Sequence, residues 1–422
     1  MKTISAKSLH VNLKKQKSFF TYSLGEYLKF VTPIILLPIF TRVLTEYDYG
    51  ILNTFTATMN IFSLFVSFSA VGAVNRAYMD REKIDFSIYL GNALIVNTLI
   101  FLCIYLPILI ITNFNFLPIP NYLLFMLPIY LLLHSFIAYK SKLWIIQERP
   151  LKNTIFDSSY RVITLVFSLV LVIFITKDWT GRVFGILIAD IIFCLISLFF
   201  LKKEDNFILK FNKNYAIDIL KFGFPLLFHG VGLSILDTAD KLILSSKMGL
   251  EEMGIYGVAF SISSILLAFI HPFDKTITPK IFKYLKSFND ENAYKIFKLF
   301  IFNILYLVVI SILIIVFMHF FGKFFLGNNF LTALKYLPIL LLGHIFYGIY
   351  RFYVMQIFFS KKTYLVSISS LSSGLISIII LFYLIPKYGV FGAAWGYTIS
   401  KAIVSFIVMF FAVRLYPIRI LK

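Results

Sequence analysis

Long apolar runs alternate along the chain with short polar connectors rich in lysine. A helix needs roughly 20 apolar residues to cross a bilayer, and about twelve runs meet that length. They cover 20–41, 51–74, 88–112, 121–140, 160–176, 181–201, 222–244, 255–273, 296–320, 334–358, 364–385 and 390–413. The pattern predicts an all-α polytopic membrane protein.

The first run departs from a plain apolar helix. It carries Glu26 and Lys29, is interrupted by Pro33 and Pro38, and ends in a polar turn that leads to Gly50 and Ile51. Such a helix is costly in lipid unless it lines a wet cavity or packs against partners. A related design returns 204 positions later. Asp237, Asp240 and Lys241 lie in an apolar run, followed by Met248-Gly249-Leu250-Glu251-Glu252-Met253-Gly254-Ile255. Gly50-Ile51 then aligns with Gly254-Ile255, and Asp48 with Glu252. Val183-Phe184-Gly185 and Val390-Phe391-Gly392, 207 positions apart, open the sixth and twelfth runs. These matches predict a duplication. Six spans per copy give both copies one orientation, a parallel repeat about the membrane normal. The polar, basic stretch at 202–221 is the expected linker, with an N-terminal lobe at 1–205 and a C-terminal lobe at 206–422.

Composition narrows the class. With 59% hydrophobic residues, 14% charged residues and a mean hydropathy of +0.87, a soluble protein is excluded. The net charge of +20 does not point to nucleic acid, because the basic residues sit in the connectors. With the N-terminus inside, inner segments hold about 29 Lys and Arg against about 7 outside, so both termini are expected in the cytoplasm. Residues 1–18 read as a cytoplasmic tail rather than a cleaved signal. Cys103 and Cys194 lie inside apolar runs, which argues against a disulfide framework. Around 275–298, lysines interleave with Phe282, Leu285, Phe288, Ile296 and Phe297. Amphipathic helices are expected there, as a solvated basic loop at the membrane surface or one that recognises lipid headgroups.

No motif for covalent chemistry is present: no phosphate-cradling loop, nucleophile elbow or zinc helix. The chain is therefore not expected to be an enzyme. Candidate chemistry rests on ionisable side chains inside the spans: Glu26, Lys29, Asp190, Asp237, Asp240, Lys241, Arg351 and Lys401. Each is costly in hydrocarbon without water or a partner. Glu26 with Lys29, at i,i+3, and Asp237 with Lys241, at i,i+4, leave two readings open. Each pair neutralises itself on one helix face, or its members face a cavity. Lys401 and Arg351 have no acid within a turn, so they pair with other helices or await an anion in a wet cavity. Cations at that depth suit a phosphate-bearing substrate. His134, His319 and His344 read as packed, hydrogen-bonded histidines. His229, on the helix of Asp237 and flanked by Gly230 and Gly232, is the candidate protonatable group.

Several of these segments carry a family resemblance. They are Thr41-Arg42-Val43-Leu44-Thr45-Glu46-Tyr47-Asp48-Tyr49-Gly50, Phe68-Ser69-Ala70-Val71-Gly72 with Arg76, and Lys221-Phe222-Gly223-Phe224-Pro225. Asp240-Lys241, Gly254-Ile255-Tyr256 and Ile385-Pro386-Lys387-Tyr388-Gly389-Val390-Phe391-Gly392-Ala393-Ala394 complete the set. In order and spacing the chain resembles the polysaccharide transporter branch of the multidrug/oligosaccharidyl-lipid/polysaccharide exporter superfamily. Lys241 stands where relatives often have arginine. The resemblance implies two six-helix bundles around a central cavity, in a bacterial cytoplasmic membrane. It implies flipping of undecaprenyl-pyrophosphate-linked oligosaccharide by alternating access, for O-antigen or capsule-type polymers. On that expectation Lys29, Lys241, Arg351 and Lys401 hold the pyrophosphate and sugars. Glu26, Asp237, Asp240 and His229 couple transport to H+ or Na+, with no other cofactor and no metal. Membrane lipids, a polysaccharide polymerase and a chain-length regulator are the expected partners besides the lipid-linked oligosaccharide. A cation-coupled multidrug exporter would want an acid-dominated cavity. A membrane glycosyltransferase or polymerase would want a large polar loop with an acidic cluster.

Overall fold

The computed structural model describes residues 34–67, 70–113 and 117–417. Glu26 and Lys29 lie outside the described residues, as does the side chain of His229. The described chain is helical, with no strand. Helix α1 is Ile34–Val43, α2 Glu46–Ser67, α3 Ala70–Met79, α4 Phe86–Asn113 and α5 Asn121–Ile146. They are followed by α6 Pro150–Val170, α7 Trp179–Asp205, α8 Lys213–Met248, α9 Leu250–Ser263 and α10 Leu267–Lys286. The series ends with α11 Asp290–Phe325, α12 Leu337–Phe359 and α13 Tyr364–Leu415. Among the described residues eight helical stretches are long and apolar enough to cross a membrane, nine if the bent pair α2–α3 counts as one. The protein is a multi-pass membrane protein.

Short polar motifs set the helix starts. Thr45 and Asp48 open α2 reciprocally: the Thr45 N–H donates to Asp48 Oδ2 at 2.9 Å and the Asp48 N–H to Thr45 Oγ1 at 3.2 Å. That satisfies donors the helix itself leaves free. Asn212 caps α8 by accepting from the N–H groups of Asn214 and Tyr215 at 3.0 and 3.3 Å. Asn289 accepts from Asn292 N–H at 2.8 Å to cap α11. Gly249, with φ of 95°, separates α8 from α9.

The 52 residues of α13 are two helices, not one. Gly389 sits at φ 57° and ψ −131°, a conformation an L side chain resists, three residues after Pro386. Ser400 Oγ donates to Ser377 Oγ at 2.8 Å. In a straight helix these residues would stand roughly 35 Å apart. The chain therefore folds back on itself at Gly389, between the expected spans 364–385 and 390–413.

Two span boundaries shift. The fifth span starts earlier than 160, because α6 begins at Pro150, then loosens to a wider turn over Leu171–Thr176. The eighth does not end at 273: α10 continues through Pro272 and Pro279 to Lys286, and α11 starts at Asp290, so helix occupies most of 275–298, as expected there.

Helices α2 and α9 cross at a close backbone contact. A Cβ on Gly50 would overlap the Leu250 carbonyl, and one on Gly254 would overlap the Glu46 carbonyl. Each contact maps onto the other by the 204-residue offset, so the two contacts are reciprocal. Beside it, α1 is tied to the end of α11. Gly327 N–H donates to Thr41 Oγ1 at 3.0 Å, and Arg42 donates to the Phe324 carbonyl. Leu36, Leu37 and Phe40 of α1 bury into a core that includes Tyr256 and Ile262 of α9, Leu307 of α11 and Leu341 of α12.

Candidate functional site

A cavity of about 290 Å³, with polar and charged side chains set among apolar and aromatic ones, lies where α2, α8, α9, α12 and α13 converge. Asn53, Thr56, Ala57 and Asn60 of α2 form one wall. Asp237 and Lys241 of α8, Phe260 of α9, His344 and Tyr347 of α12, and Tyr397 and Lys401 of α13 form much of the rest.

Lys401 is the centre of its charged side. The sequence leaves it without an acid within a turn, but the fold brings α8 alongside α13, and Lys401 Nζ donates to Asp237 Oδ1. Of the two readings left open, pairing with another helix is present, and Lys401 lines the cavity as well. The pair is unequal. The lysine side chain is 4% exposed, while the aspartate is 59% exposed. Tyr347 and Tyr397 flank the ammonium, with ring centroids 5.4 and 5.3 Å from it. Aromatic faces favour a desolvated cation.

Lys241 does not neutralise Asp237 side chain to side chain, as its i,i+4 spacing allowed. Its Nζ donates to the Asp237 backbone carbonyl at 2.6 Å and lies 3.4 Å from both Asp240 oxygens. The Phe260 ring centroid is 3.7 Å away. Asp240 is buried and also accepts from the Tyr256 hydroxyl. It does not line the cavity, so its expected role at a coupling site is not supported by its position. In the same wall His344 is buried, with Nε2 3.1 Å from Ser263 Oγ and Nδ1 3.2 Å from the Tyr397 hydroxyl. It is a structural histidine that orients a cavity tyrosine.

Arg351 stands apart from the cavity. It lies one turn beyond Tyr347 on α12, and its Nε donates to Asp274 Oδ2 of α10 at 2.7 Å. For Arg351, too, the reading of a partner on another helix is the one present. The arginine side chain is 33% exposed and the aspartate 6%. Asp274 escaped the sequence reading because the eighth span was ended at residue 273. Asp190, the remaining acid expected inside a span, accepts from the Tyr160 hydroxyl at 2.7 Å.

The cavity combines one exposed carboxylate, two lysines held by protein groups and a neutral amide and hydroxyl wall. It can present positive charge to an anion without first burying it bare. The α2 wall was missed, although Asn53, Thr56 and Asn60 recur at i, i+3 and i+7 within an apolar run, a spacing that puts them on one helix face.

Known proteins bear on this arrangement. A family model described as "Polysaccharide biosynthesis protein" matches residues 16–285. An uncharacterized membrane protein of Haemophilus influenzae is 24% identical over 367 residues, covering 84% of this chain and 86% of its own. The Lsg locus putative protein 1 of the same organism is 22% identical over 279 residues, covering 65% and 68%. Among solved structures, an inward-facing multidrug resistance transporter of the MATE family superposes with a TM-score of 0.71 at 12% identity, covering 94% of both chains. The lipid II flippase MurJ, in an inward closed conformation, gives 0.69 at 16% identity, covering 96% of this chain and 87% of that one. At such identities the likeness is one of fold.

Proposed function

The chain belongs to the polysaccharide biosynthesis protein family, the polysaccharide transporter branch of the multidrug/oligosaccharidyl-lipid/polysaccharide exporter superfamily, and on that premise we propose that it flips undecaprenyl-pyrophosphate-linked oligosaccharide from the inner to the outer leaflet of the bacterial cytoplasmic membrane. The observation that carries this reading is the Lys401–Asp237 pair on the cavity wall, one member buried and the other open. Lys401 is an anion site filled by an internal carboxylate. A diphosphate brings more negative charge and more acceptor oxygens than one carboxylate, so it can displace Asp237. Asp237 can then turn into the cavity it already faces. Lys241 adds positive potential from the same side. The freed Asp237 carboxylate is the group to which a proton or Na+ would couple. The prenyl chain stays in lipid while the head crosses by alternating access, both termini remaining cytoplasmic.

A cation-coupled drug exporter fits less well, because lysines outnumber carboxylates on the cavity wall. The test is a strain lacking the chromosomal copy. Loss of surface polymer with lipid-linked units accumulating on the inner leaflet is expected, restored by the wild-type chain and not by Lys401→Ala. Unchanged surface polymer and no such accumulation would overturn the reading.

A further inference from the structure

The two sides of the cavity differ in chemistry, and the difference follows the duplication. On α2 the cavity positions are Asn53, Thr56, Ala57 and Asn60, all uncharged. The positions 204 residues later are Gly257, Phe260, Ser261 and Ser264, and of these only Phe260 lines the cavity, under the Lys241 ammonium. One copy of the crossing helix therefore offers neutral donors and acceptors, while the other backs the cationic side.

The neutral groups are placed rather than merely present. Asn53 Nδ2 donates to the Tyr49 carbonyl at 2.8 Å, and its amide rests against Gly257, where a Cβ would overlap it. Thr56 Oγ1 donates to the Leu52 carbonyl at 2.7 Å, which leaves its lone pairs to the cavity. Asn60 is exposed, and its own backbone carbonyl accepts from Ser63 Oγ at 2.8 Å, while its side-chain amide has no hydrogen-bond partner among the described residues. Ala57 between them keeps the wall open.

We propose that Asn53, Thr56 and Asn60 form a sugar-reading wall that contacts the hydroxyls next to the diphosphate and thereby sets which lipid-linked unit is carried. This rests on the flippase reading above and extends it to specificity. Carboxamides both donate and accept, as ring hydroxyls do. An apolar cargo would leave these groups unpaired once water is expelled, a penalty that discriminates more sharply than shape. The cavity of about 290 Å³ lies near the lower end of small-ligand pockets, roughly 300–1,000 Å³. It therefore takes the diphosphate and the sugar beside it rather than a whole repeat unit.

The experiment separates the two walls. In the deletion strain, Asn53→Ala/Asn60→Ala should lower surface polymer by about tenfold or more, the cost of one or two lost hydrogen bonds. The purified variant should bind inorganic pyrophosphate as the wild type does, whereas Lys401→Ala should lose that binding. Asn60→Ser, which keeps a donor and an acceptor, should retain more polymer than Asn60→Ala. Wild-type polymer levels in the double variant overturn the proposal, as does a parallel fall of polymer and pyrophosphate binding. Should the wild type ignore pyrophosphate, or Lys401→Ala bind it unchanged, the cationic reading fails by itself. The comparison of Asn60→Ser with Asn60→Ala then still decides the fate of the α2 wall.

Discussion

Lys401 and Asp237 are joined across 164 residues of sequence, yet the lysine is buried and the aspartate is largely exposed. That inequality makes the pair asymmetric to substitution. Asp237→Asn strands a lysine that is 4% exposed, whereas Lys401→Ala leaves a carboxylate that is already largely exposed. Breaking a buried pair from the exposed side costs about 3 kcal/mol or more. Thermal unfolding in detergent should show Asp237→Asn clearly less stable than Lys401→Ala, and added pyrophosphate should recover part of the loss. Equal melting temperatures would mean the lysine is not held by the aspartate.

The Arg351–Asp274 pair predicts the reverse order. Here the acid is the sequestered member, at 6% exposure. Arg351→Ala should cost about 3–5 kcal/mol by leaving Asp274 without its cation. Arg351→Ala combined with Asp274→Asn should recover much of it in a double-mutant comparison, read as melting temperature. Additive losses would show that the two side chains act independently.

At the α2–α9 crossing even one methyl group is too much. Gly50→Ala or Gly254→Ala places a Cβ on a backbone carbonyl of the opposite helix, which cannot rotate aside. Each should destabilise by about 1–3 kcal/mol. Each should also raise the labelling rate of a cysteine placed at Tyr47 by a membrane-impermeant thiol reagent. A labelling rate and stability matching the wild type would mean that the helices are not in contact.

Orientation can be read directly. Reporter fusions after Asn113 and Lys202 should report outside and inside respectively, as the placement of lysines and arginines requires. The opposite activities would invert the map.

The helical architecture was readable because its signals are local. Apolar runs mark helices, and the break between 385 and 390 marks the turn back at Gly389, whereas α2 starts at Glu46, inside the stretch read as a polar turn. The partners of the intramembrane cations were not readable, because Lys401 meets α8 and Arg351 meets α10, far away in sequence. Asp274 lay just past the point where lysines suggested the water interface, but α10 continues as helix there. The α2 wall is an intermediate case. Its spacing was visible, but uncharged amides in an apolar run carry little signal until a cavity is seen in front of them.

The reciprocal glycines at the crossing also bear on how the two helices can change in sequence. Each helix holds the small residue that the other's main chain needs, so neither position is free to drift alone. A larger side chain on one helix injures the other's backbone, and no change at the opposite glycine repairs it. Selection is thus expected to keep both glycines in step, while the neighbouring positions at the same offset, Asn53 against Gly257 and Thr56 against Phe260, differ.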